Sequence, residues 1–170
     1  MNLDIRAGEA NQKFEAFHVL QDNAKIVSFE PHMHAAGVRM CLDAISGRTT
    51  QIETLSCAGY DHSWVKIYNF DDDAAPLLPK GTILRLTGYF NNLLANRNVA
   101  EPRNWSGLSH RSIDNMMNHL GEVLYLNDED FYEEMINRRE RLGIRDGQLV
   151  PSCPFCGAPE RIVALDKDLQ

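Results

Sequence analysis

Short apolar or alternating runs follow one another along most of the chain: FEAFHVL (14–20), KIVSFEPHMH (25–34), VRMCLDAI (38–45), QIETLSC (51–57), SWVKIYNF (63–70), GTILRLTGYF (81–90) and HLGEVLYL (119–126). Turn chemistry separates them, in ISGRT, CAGYD, PLLPKG and the long NNLLANRNVAEPRNWSG. Many short strands with such breakers predict an all-β fold, an antiparallel jelly-roll-like β-sandwich, over residues 1–127.

After that the period changes. Asn127 is placed to cap a helix over 128–145, with Asp128, Glu129 and Asp130 in its first turn and Arg138, Arg139 and Arg141 in its last. Both charge groups suit the helix dipole. Glu134 and Arg138 have ion-pair spacing, Gly143 is a stop, and Phe131, Met135 and Leu142 are the expected packing face. Residues 146–170 form a tail carrying CPFC.

Composition narrows the classes. The 170 residues suffice for one compact domain, and 44% hydrophobic against 24% charged residues supports a real core. A net charge of −7 without a basic patch argues against a nucleic-acid partner. The acidic run at 71–73 reads as a solvated turn. No apolar run is long enough for a membrane span, and the N-terminal residues lack a signal-peptide pattern, which leaves a cytoplasmic protein or a piece of a longer one.

The candidate chemistry starts at PHMH. In a strand, residues two apart project from one face, so His32 and His34 point the same way with Met33 turned from them. Two imidazoles can share a metal, but an HxH pair alone does not establish a site. The candidate third ligands are His18, His62, His110, His119, a carboxylate, or a thioether from Met116 or Met117 in SIDNMMNHL. A thioether favours copper, Cu(I) above all; as core residues, the same methionines would simply fill space.

Taken together, PHMHAAG, YDHSW with Tyr68, LPKGTILRLTGYFNN and DNMM resemble one family over residues 3–126. It is the copper type II, ascorbate-dependent monooxygenases, which include peptidylglycine and dopamine hydroxylating enzymes, and the likeness is to the C-terminal catalytic domain of bacterial relatives. The resemblance implies a jelly-roll-like sandwich with His32, His34 and Met116 as ligands of one copper. That copper would activate O2 to hydroxylate a C–H bond of a small-molecule substrate, with an external electron donor. It also implies a periplasmic or secreted location, and it makes Asn118 a candidate substrate-binding residue. Asp61 and Asp114, or backbone carbonyls, are the candidates for orienting the imidazoles.

Several positions depart from the family. Asn115 replaces the usual acid before the methionine. Glu30 and Leu120 stand where peptide-amidating members anchor a substrate carboxylate with arginine and tyrosine, which argues against a peptidylglycine substrate. The second, three-histidine copper domain is not encoded before Phe29, so an upstream domain or partner redox subunit is expected for a full cycle. These departures keep an alternative open: a non-catalytic copper-binding or structural subunit of a larger redox assembly. A metal-free binding sandwich is the third reading.

Four cysteines remain. Cys41 and Cys57 either pair across a hairpin through SGRTT or stay as buried thiols. Cys153 and Cys156 are half of a tetrahedral thiolate site, so they would hold zinc or iron with a second chain, form a disulfide, or do neither.

Overall fold

The computed structural model describes residues 3–45 and 52–144. In chain order its elements are β1 (Asp4–Ile5), β2 (Gln12–Val19), β3 (Asn23–Ile26), β4 (Ser28–Phe29), β5 (Pro31–His34), β6 (Gly37–Ile45), β7 (Ile52–Gly59), β8 (Tyr68–Asn69) and β9 (Leu77–Leu78). They continue with β10 (Ile83–Phe90), β11 (Ser106–Gly107), β12 (Asn115–His119), β13 (Val123–Leu126) and α1 (Asp128–Arg141). The architecture is all-β and sandwich-like, with one helix following the strands among the described residues.

One layer is an antiparallel sheet in the order β2-β10-β6-β7. Its alternating sequences put Met40, Leu42, Leu55, Leu84 and Phe90 into the core. Facing it are smaller pairings: β12-β5, β13-β3-β9 and β4-β8. These contribute Ala24, Ile26, Phe29, Met33 and Met117 to the same core. The layers meet closely at Gly88 of β10, where a Cβ would lie 2.4 Å from the Met117 sulfur and 3.1 Å from the Met33 methyl. A glycine is required there because the two methionines already fill the space.

The 25–34 run is three strands rather than one. β3 pairs with β13 and β9, β4 with β8, and β5 with β12. The breaks fall where the chain changes partners: the Val27 amide donates to Glu122 O at 2.9 Å, and the Glu122 amide donates to the Ser28 hydroxyl at 2.8 Å. Pro31 then starts β5 without an N–H to offer. The 119–126 run likewise divides between β12 and β13.

SWVKIYNF departs further from expectation, since only Tyr68–Asn69 is strand. Asp61 captures the preceding segment in a turn: its Oδ1 accepts the Ser63 amide at 2.9 Å and the Ser63 hydroxyl at 2.7 Å, while its carbonyl accepts the Trp64 amide at 3.0 Å. This local bonding overrides the β-propensity of the residues that follow. Trp64, Val65 and Ile67 are therefore exposed rather than packed.

α1 forms as expected, from Asn127, whose side chain accepts the Asp130 amide, to Gly143 at φ 65°. Its packing face differs in one residue. Phe131 and Met135 bury against Leu77 and Leu126, but Leu142 is exposed and Arg138 is the third buried side chain. The 71–73 turn stays exposed, yet Asp72 and Asp73 pair with Lys25 and Arg141. Cys41 and Cys57 face each other in register across β6 and β7 and are joined by a disulfide. Cys153 and Cys156 lie outside the described residues.

Candidate functional site

β5 carries the histidine pair on the face opposite its core residue. Met33 points inward, fully buried, and His32 and His34 are left on the other side. The rings converge: the two Nε2 atoms lie 3.1 Å apart and the ring centroids 4.9 Å, nearly edge to face. His34 reaches this position through a left-handed backbone, φ 70°, that a regular strand does not have.

The partner strand supplies the rest of the surroundings. In β12 Asn115 pairs with His34 and Asn118 with His32, so Met116 and Met117 together oppose the single Met33 in a bulge. Met117 turns into the core against Gly88 and Met33. Met116 remains half-buried within the stretch of β12 that runs beside the pair. Asn118 is exposed next to His32. Beyond it the Leu120 amide donates to Glu30 O at 3.1 Å, which brings Glu30 and Leu120 side by side.

His34 is 6% exposed. Burial holds its imidazole below the usual histidine range, helped by the charges that His32 and His62 would carry and opposed by the Arg111 backbone and the Asp114 carboxylate. Neutral imidazole is the ligating form, so this environment suits a metal. The His34 Nδ1 is buried and makes no hydrogen bond of ordinary geometry.

The other candidates disperse. His62 is a near neighbour of His34, with ring centroids 6.0 Å apart, but its Nδ1 faces the Tyr60 hydroxyl at 3.4 Å. His119 stacks on Phe29 and accepts two backbone amides. His18 lies exposed on β2, in the other layer, and His110 is exposed in a loop. Asp61 bonds Ser63, which lowers its pKa, and Asp114 pairs with Arg111 at 2.7 Å, which lowers its own. Among the described residues no three His, Cys, Asp or Glu side chains form a metal-holding group. On the adjoining strand, β12, Met116 is the thioether that the family resemblance named as third donor.

Two more residues hold the surroundings of the pair, Tyr60 of the YDHSW block and Asn115 at the place of the family's usual acid, and the sequence pattern assigned neither of them a contact. Tyr60, after β7, accepts the His34 amide with its hydroxyl at 3.1 Å. Asn115 accepts the Ala36 amide at 3.3 Å and donates to the Ser106 hydroxyl at 2.8 Å. Comparison of the chain with protein-family models, curated proteins and solved structures finds no significant match.

Proposed function

We propose that the β5–β12 ribbon holds one copper ion through His32, His34 and Met116, in a monooxygenase-like domain that hydroxylates a C–H bond with O2 and an external reductant. The supporting observation is the 3.1 Å between the two Nε2 atoms. With metal–nitrogen bonds of about 2.0–2.1 Å, that separation gives an angle of about 100° at a shared ion, close to tetrahedral. Two borderline imidazoles and one soft thioether select copper over zinc or magnesium. The bound metal would supply the oxygen activation and the hydrogen abstraction.

The chain's own groups bind and orient. Asn118 offers an exposed amide beside His32 for a polar atom of the substrate. Glu30 disfavours a carboxylate at the position next along the ribbon. No helix among the described residues is long and apolar enough to cross a membrane; a periplasmic or secreted location follows from the family resemblance alone.

The second reading is a copper-binding or structural subunit without its own catalysis. It is supported by α1, an addition to the sandwich that the family resemblance, over residues 3–126, does not cover.

Anaerobic Cu(I) titration against a chromophoric competitor tests the site. Wild-type chain should bind one equivalent, and His34→Ala should weaken binding by more than about 100-fold, beyond the 10–100-fold range of outer-shell changes. Met116→Ala should remove copper–sulfur scattering from the absorption fine structure. A wild-type chain that takes up no Cu(I) ends the proposal, and oxygen consumption with ascorbate and candidate substrates separates the two readings.

A further inference from the structure

We propose that Tyr60 is the positioning residue of the histidine pair, its hydroxyl holding the His34 backbone in the left-handed turn that swings the His34 ring onto His32. The inference rests on the reading that His32 and His34 share a metal. A left-handed backbone is unfavourable for a residue with a Cβ and persists only where its surroundings fix it. At His34 the fixing groups are visible on both sides.

Before the turn, the His34 amide donates to the Tyr60 hydroxyl at 3.1 Å, in a buried setting. Tyr60 is itself anchored, because its own amide donates to Val38 O at 2.9 Å. After the turn, the Ala36 amide donates to the Asn115 side chain, and Ala36 O accepts the Asn91 amide at 2.8 Å. Asn115 grips the chain from β12, the strand that carries Met116. The two amides on either side of residue 35 are thus tied by side chains to Tyr60, just after β7, and to β12, which locks the ring direction before any metal arrives.

The hydroxyl has one proton to give. Its other partner is the His62 Nδ1 at 3.4 Å, a longer contact whose donor is set by the imidazole tautomer. His62 therefore ranks below Tyr60 in effect. Removing the hydroxyl strands a buried amide and frees the turn.

Tyr60→Phe should weaken Cu(I) binding by about 10–100-fold, as outer-shell partners typically do, and His62→Ala by less. Hydrogen exchange read by NMR on the metal-free protein supplies a signal that general destabilisation would not give. The His34 amide should be protected in the wild type and should exchange faster in Tyr60→Phe at unchanged protection of β6 and β10. Wild-type affinity in a folded Tyr60→Phe overturns the proposal and leaves the copper reading standing. An unprotected His34 amide in the wild type overturns it whether or not the variant folds. If the wild type binds no copper, the metal reading falls, and with it the role of Tyr60 in tuning affinity.

Discussion

His119 has its Nδ1 facing the Glu30 and Gly121 amides at 3.4 and 3.3 Å and its Nε2 buried without a hydrogen-bond partner. Only a neutral ring can accept at Nδ1. Burial pushes its pKa below the ordinary 6.5, against smaller opposing effects of the Glu30 backbone and carboxylate. The unfolded chain therefore binds the proton more readily than the native one. The stabilisation is complete above the unfolded pKa and declines as pH falls from there toward the folded pKa. The urea midpoint should drop between about pH 7.5 and pH 5.5. His119→Gln, which keeps an acceptor and loses the titration, should flatten part of that slope, the remainder belonging to His34, whose pKa moves the same way. Equal slopes in the two proteins would refute the assignment. The HxH spacing alone marked His32 and His34 as neighbours on one face. It could not mark Tyr60, because a hydroxyl meeting an amide 26 residues away leaves no trace in local pattern.

At the scale of elements, α1 was the most legible. Cap, first-turn acids, last-turn arginines and terminal glycine all lie within one short window, and each acts locally. Asn127 accepts the Asp130 amide at 2.8 Å, so Asn127→Ala should cost about 0.5–2 kcal/mol in urea unfolding; an unchanged midpoint would show that packing alone holds the helix start. Strands were less legible because pairing decides them. SWVKIYNF has the composition of a strand, but the Asp61 turn and the absence of a long partner leave two paired residues. The 25–34 run has strand character throughout, and its division follows from which neighbours it meets. In β12, likewise, the bulge that separates Met116 from Met117 depends on its pairing with β5. The choice between the two methionines therefore came from family resemblance at the sequence level, while the fold contributes the burial of Met117.

Across the whole molecule, the sandwich and α1 are joined through charge as much as through apolar contact. The buried Arg138 donates to Ala75 O at 2.6 Å and Asp72 O at 2.9 Å, and it pairs with Glu134 at 3.6 Å. Lys25 of β3, only 10% exposed, binds Asp72 at 2.5 Å and Glu134 at 2.9 Å. The 71–75 turn thus presents both backbone carbonyls and carboxylates to one face of the helix. Reading Arg138 as a last-turn charge paired with Glu134 did not reach these carbonyls, because nothing nearby in the chain shows that a turn 63 residues earlier faces it. Arg138→Met should fill similar volume yet strand the two carbonyls, costing about 1–3 kcal/mol. Arg141→Ala, which breaks half-exposed pairs with Asp72, Asp73 and Glu134, should cost at most about 1 kcal/mol. Urea unfolding followed by Trp fluorescence and by helix circular dichroism would check both. If the helix docks as a unit, Arg138→Met should lower the helix transition before the β-sandwich transition. Because the histidine pair lies on β5, paired with β12, and neither strand contributes a residue to this junction, Cu(I) affinity should be the same in Arg138→Met as in wild type. A loss of affinity in that variant would mean that the helix and the ribbon are one cooperative unit.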